Sequence, residues 1–133
     1  MGNLVEILAV AAIVFAIGWL WYSPVLFGNM WLKITKMKKP SKNAMKGMWK
    51  YMLTGYISTA VMVFITNLFV NSLYVTTFAA GAQLGAVAWL GFVATEQLSM
   101  VLWDRKPVKL YLINTAHNLV AMAVAGGILA IWA

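Results

Sequence analysis

The chain contains no cysteine. That removes a disulfide framework, a thiolate nucleophile and every thiolate metal site at once. Acidic residues are nearly as scarce: Glu6, Glu96 and Asp104 are the only three in 133 residues. The single histidine, His117, is too few for a usual zinc site when thiolates are missing, so neither a metal nor another cofactor is expected. No phosphate-binding P-loop, HExxH or GxSxG pattern occurs, and no nucleophile stands beside the histidine in a recognisable arrangement. Catalysis is not expected.

What fills the chain instead is apolar. Hydrophobic residues make up 63% and charged residues 10%, against roughly 45–50% and about 25% in soluble domains. The mean hydropathy of +0.83 agrees. Four runs, residues 4–23, 49–70, 78–103 and 108–132, are long enough to cross a hydrocarbon core of about 30 Å at about 1.5 Å per helical residue. Backbone groups in lipid must be satisfied within their own segment, so each run is predicted to be a helix despite its many valines and isoleucines. The first run has no basic flank before it and no small-residue cleavage site after it, which makes it a span rather than a signal peptide. The expectation is an all-α membrane protein: a single domain of four transmembrane helices over residues 1–133, with a basic loop at 24–48.

The ten basic residues fall in two segments only. Lys33, Lys36, Lys38, Lys39, Lys42, Lys46 and Lys50 lie between spans 1 and 2, and Arg105, Lys106 and Lys109 between spans 3 and 4. Residues 71–77, between spans 2 and 3, carry no charge. By the positive-inside rule both basic segments are cytoplasmic and both termini lie outside. Basic loops between apolar runs are a membrane footprint rather than a nucleic-acid one, so no nucleic-acid partner is expected.

Between the first span and the lysines runs "GWLWYSPVLFGNMWLK". Trp19, Trp21 and Tyr22 are placed to settle among lipid headgroups. Ser23 followed by Pro24 reads as a helix N-cap with proline at the first helical position. Phe27, Met30, Trp31, Ile34 and Met37 then recur at helical spacing, with Asn29, Lys33 and Lys36 between them. A short amphipathic helix lying at the interface fits that pattern. A second cap is expected at Ser41, after which Lys42, Lys46 and Lys50 form a stripe opposite Met45, Met48, Trp49 and Met52. Such a segment attracts anionic lipid by about 1 kcal/mol per lysine. The methionines read as adaptable apolar filler rather than as a copper site.

Counted from the turn between spans 3 and 4, Glu96 and His117 come to nearly the same depth, with Asn114 and Asn118 on the histidine's face. A charged carboxylate at mid-membrane costs about 2.5–3.5 kcal/mol on insertion scales, so it should face protein or water. Two readings stay open. The pair is a proton-responsive site for transport, or it is a hydrogen-bonded lock between helices, a type of contact worth about 0.6 kcal/mol on average. Gly81 and Gly85, and Ala121, Ala125, Gly126 and Gly127, mark close helix contacts.

The segment Trp21-Tyr22-Ser23-Pro24, the Phe27-Gly28 and Trp31 that follow, Leu110, Ile113 and Asn114, and the run from Gly126 to Trp132 resemble a family of small bacterial membrane proteins known as domain of unknown function 1761. The resemblance extends over nearly the whole chain. It implies a compact four-helix membrane protein of the bacterial cytoplasmic membrane and brings no activity with it. Two functional classes are expected from the sequence. One is a homo-oligomeric transporter or channel subunit with Glu96, His117, Asn114 and Asn118 as its proton or ion site. The other is a non-catalytic interaction or scaffold protein that docks anionic lipid or a partner through its basic loop.

Overall fold

The structure, a computed structural model, describes residues 4–36 and 46–132. Lys38, Lys39, Lys42, the expected cap at Ser41 and Met45 lie outside them. All regular structure among the described residues is helical, in five helices: α1 (Leu4–Trp21), α2 (Gly28–Thr35), α3 (Met48–Ser72), α4 (Phe78–Leu102, with internal irregularities) and α5 (Val108–Trp132). All but α2 are long and apolar enough to span a membrane. At about 1.5 Å per residue, the 25-residue helices reach about 37 Å.

α5 is the hub. It packs against α1, α2, α3 and α4, and it is the most buried of the four long helices. Its tightest seam is with α4 and is made by glycine. A Cβ at Gly81 would collide with the Gly126 carbonyl, one at Gly85 with the Met122 carbonyl, and one at Gly126 with the Gly81 carbonyl. Only residues without side chains let two backbones approach so closely. On the other side of α5, Val10, Ala11, Val14, Val63, Val70 and Leu129 form a shared core with α1 and α3. Neighbouring spans run antiparallel, which brings the sequence around Trp21, α2, the start of α3, and the turn between α4 and α5 to one end. That end carries the described lysines and Arg105 and is called the basic end below.

The chain leaves α1 differently from the sequence expectation. Ser23 does not cap α2; its hydroxyl donates back to the Leu20 carbonyl at 2.6 Å and closes α1 instead. Serine has that local alternative whenever a helix ends just before it. α2 starts five residues later at Gly28, with no side-chain cap at Phe27. Gly28 is required there, because a Cβ would strike the Tyr22 and Ser23 backbone. α2 keeps the expected amphipathic pattern in part: Phe27, Trp31 and Ile34 are half-buried and Lys33 and Lys36 exposed, but Met30 is exposed too, and Met37 lies outside the described residues.

α4 opens on a conventional cap, with the Thr77 hydroxyl accepting from the Ala80 N–H at 3.2 Å. It then departs from the α-ladder twice, in a π segment at Leu90–Ala94 and a break at Leu98. The departures supply partners elsewhere: the Tyr111 hydroxyl of α5 donates to the Ala94 carbonyl at 2.6 Å. A π turn inserts one residue, so everything beyond it is rotated by about 100°. A regular helix would carry the buried face from Gly81 and Gly85 through Phe92 to Glu96. With the insertion, Phe92 is 75% exposed, and Val93 and Gln97 take the half-buried places.

Candidate functional site

His117 projects from α5 toward α1 and not toward α4. Its imidazole lies on the α-carbon of Gly18, where a Cβ would come within 2.8 Å of Nε2. The rings of Tyr22 and Trp21 flank it at 5.4 and 6.1 Å between centroids. Nε2 is buried and has no hydrogen-bond partner among the described residues. Leaving a buried polar group unmatched costs about 1–3 kcal/mol.

The aromatic residues at the end of α1 divide their tasks. Trp19 points outward and is 73% exposed, as an interfacial ring would be. Trp21 and Tyr22 turn inward: the Trp21 indole N–H donates to the Ile113 carbonyl at 3.1 Å, and the Tyr22 hydroxyl to Asn114 Oδ1 at 2.7 Å. Trp31 of α2 packs edge-on against Tyr22, 6.1 Å between centroids. Trp89 secures the other flank of α5 by donating to the Thr115 carbonyl at 2.7 Å.

Two cavities adjoin this cluster. The deeper one, about 810 Å³, lies between α1, α3 and α5, with Val14, Phe15, Met62, Ser58, Thr59 and His117 among its walls. The shallower one, about 690 Å³, lies nearer the basic end, bounded by Asn29, Trp31, Leu32, Met48, Gln97 and Asn114. Tyr22, Pro24 and Asn118 belong to both. Ligand sites typically occupy about 300–1,000 Å³, with mostly apolar walls and a few convergent polar groups.

The family described as a protein of unknown function, DUF1761, matches residues 5–130. The chain belongs to that family. No curated protein and no solved structure matches it.

In this DUF1761 protein His117, Asn114 and Asn118 are gathered around Tyr22, but Glu96 is elsewhere. The Gly81/Gly126 and Gly85/Met122 contacts put Leu90, not Glu96, level with His117. Glu96 lies six residues beyond Leu90, about 9 Å nearer the basic end, and is exposed on the far face of α4. The shared depth read from the turn is therefore corrected, because α4 reaches the turn through a π segment and a break whereas α5 is regular from Val108 on. The basic residues Lys33, Lys36, Lys46 and Lys50 are exposed at the basic end, near α2 and the start of α3. Among the described residues no cluster of His, Cys, Asp or Glu could hold a metal.

The sequence reading missed the α1 and α3 walls of this DUF1761 site. Gly55, Ser58, Thr59 and Met62 recur at helical spacing on α3, and Gly18 precedes Tyr22 by one turn on α1. That small and polar stripe on an otherwise apolar span was the available signal.

Proposed function

We propose that this protein is a non-catalytic, proton-conducting or proton-coupled transporter or channel subunit whose cargo binds in the cavity between α1, α3 and α5, with His117 as its proton-responsive polar anchor. The observation that carries this reading is the buried, unmatched Nε2 beside a cavity of about 810 Å³. Intramembrane ionisable groups mark functional sites by default. Asn118 extends the polar edge, and the Tyr22–Asn114 hydrogen bond holds the wall at the basic end.

The rest of the reading follows from charge and space. The protein sits in a bacterial cytoplasmic membrane with its basic end inside and both termini outside, because all ten basic residues flank that end. Four spans leave little room for a path within one copy, so copies assemble. The outer face of α4 is the subunit contact: Thr95, Glu96 and Ser99 are exposed there, and Gly91 has open space beside it. A second copy over that face would shield Glu96 from lipid.

Proton flux into liposomes tests this reading, measured across about pH 5.5–7.5, where an unperturbed histidine titrates. Wild type and Glu96→Gln are expected to conduct alike, and His117→Leu to lose flux while remaining folded. Flux that is absent from wild type, or indifferent to His117→Leu, overturns the reading.

A second reading has its own support in α2, whose exposed Lys33 and Lys36 stand opposite half-buried Trp31 and Ile34. In it the basic end docks anionic lipid or an acidic partner. Such docking weakens as salt rises, because the Debye length falls to about 3 Å at 1 M.

A further inference from the structure

We infer that the deeper cavity takes a lipid-soluble phenol: an uncharged aromatic ring whose hydroxyl meets His117 Nε2 and whose hydrocarbon tail stays in the bilayer. This rests on the reading of that cavity as the cargo site and names the class of cargo.

The wall asks for a single polar group. Its inner hydroxyls are already committed: Tyr22 donates to Asn114 Oδ1 at 2.7 Å, Ser23 to the Leu20 carbonyl at 2.6 Å and Thr59 to the Gly55 carbonyl at 2.9 Å. The Asn118 side chain is hydrogen-bonded to the imidazole itself. Among the described residues that leaves Nε2 as the buried atom of this wall with no partner. A sugar, a nucleotide or an amino acid would bring several polar groups to a wall that matches one, and each unmatched group would oppose binding.

The imidazole selects a hydroxyl. With Asn118 on the other ring nitrogen, Nε2 of the neutral ring is an N–H donor in one tautomer and a lone-pair acceptor in the other. A hydroxyl both donates and accepts, so it pairs with Nε2 in either tautomer; a carbonyl or an ether pairs in only one.

Charge is disfavoured by the lining. Among the described residues no acidic or basic side chain lines the cavity besides His117, so an ionised ligand would be taken out of water without a fixed countercharge. A phenol ionises only near pH 10 and enters neutral.

The ring is matched by rings. Phe15, Trp19 and Tyr22 line the cavity, and Tyr22 and Trp21 flank the imidazole at 5.4 and 6.1 Å between centroids. Aromatic pairs gain more than their buried area alone supplies, a gain that an open-chain alcohol does not share.

The way in is lateral. Trp19 on α1 and Ser58 on α3 line the cavity and are themselves exposed on the surface that lipid covers. A ring with a hydrocarbon tail reaches that opening from within the bilayer. A water-soluble cargo would have to cross hydrocarbon to use it.

Because the chain has one histidine, nitrogen-15 labelling of histidine gives a single pair of ring resonances, and that of Nε2 reports its own hydrogen bond. The full chain is titrated in neutral detergent micelles near neutral pH with para-decylphenol, decylbenzene, hexadecanol and para-decylbenzoate. Decylphenol is expected to shift the Nε2 resonance saturably, at a half-saturation about tenfold below those of hexadecanol and decylbenzoate, and decylbenzene to leave it in place. Decylhydroquinone, kept reduced, binding tighter than decylphenol identifies a quinol as the source of the ring hydroxyl, and the reverse order a monophenol. Ser58→Phe, which fills the cavity from its exposed rim, should raise the decylphenol half-saturation by about tenfold while the ligand-free histidine resonances stay in place. Thr59→Leu replaces it if that variant does not fold. An Nε2 resonance that decylphenol does not move, an equal response to any of the other three probes, or no effect of filling the cavity overturns the inference. The resonance reports occupancy without transport, so His117-dependent flux with no preference for the phenol removes the cargo class alone. Phenol binding without flux removes the transport reading and leaves the site.

Discussion

The same substitution, glycine to alanine, should have opposite signs at two places on α4. At Gly81 the added methyl points into the Gly126 carbonyl. That obstacle is backbone in the middle of a helix and cannot swing aside, so α4 and α5 must separate. Overpacking of this kind costs about 1–3 kcal/mol. Separation also stretches the Trp89–Thr115 and Tyr111–Ala94 hydrogen bonds, 2.7 and 2.6 Å long, across the same interface. Each is worth about 0.6 kcal/mol on the average for such pairs in membranes. The helix-forming advantage of alanine returns only about 0.5–1 kcal/mol. Gly81→Ala is therefore expected to lose about 1–3 kcal/mol net. Within one copy Gly91 has nothing within 4 Å of its prospective Cβ, so in the dissociated monomer Gly91→Ala keeps the propensity gain alone. It should be more stable than wild type by about 0.5–1 kcal/mol. Reversible unfolding in mixed micelles, titrated with dodecyl sulfate and followed by circular dichroism, measures both. A Gly81→Ala protein as stable as wild type, or equal losses at the two positions, would refute the reasoning. Gly81→Ala combined with Gly126→Ala should cost less than the two losses added, because one separation relieves both clashes.

Other outcomes follow from the same geometry. His117→Leu removes the unmatched Nε2, whose burial costs about 1–3 kcal/mol, but also the hydrogen bond between the imidazole and the Asn118 side chain, so stability in the same titration should change by less than about 1 kcal/mol even as flux is abolished; a large loss of stability would mean that Nε2 is bonded as well. With no native cysteine, Thr95→Cys should give a disulfide-linked dimer under mild oxidation, whereas Val61→Cys, on the lipid-facing side of α3, should not; equal yields would discard α4 as the subunit contact. In intact cells a membrane-impermeant maleimide should label Asn71→Cys and spare Lys106→Cys, and the opposite pattern would invert the proposed orientation.

The fold was legible where a single strong constraint acts. Lipid forbids unpaired backbone, so apolar runs of sufficient length had to be helices, and the span at residues 108–132 matches α5 at both ends. The glycine seam was legible from the four-residue spacing of Gly81 and Gly85 and from the small residues around Gly126, a pattern that permits close approach; Gly91, outside that pair, has open space beside it. Where weak local choices compete, the pattern misled. Ser23 had two places to put its hydroxyl and took the end of α1. The π segment at Leu90–Ala94 contains no proline and leaves no trace in hydropathy, yet it turns Glu96 out of the bundle. His117 was legible as the polar centre of a span, but its partner helix was not. Facing α1 instead of α4 depends on which side of α5 the glycine seam occupies, and that is settled by packing across the whole bundle.

The position of α5 at the centre of the bundle also sets an order of events. Every helix it touches precedes it in the chain, so a ribosome delivers α1, α3 and α4 to the membrane before their common partner exists. Until then the glycines of α4 face lipid or a translocase, and the Tyr22 hydroxyl has no Asn114 to meet. α1 and α3 have their own interface, with the Tyr56 hydroxyl donating to the Leu8 carbonyl and Phe15 edge-on to Tyr56, whereas the glycine seam and the aromatic hydrogen bonds close only when the hub arrives. A substitution on α5 accordingly burdens biogenesis as well as the finished protein, because α4 has little besides α5 to pack against.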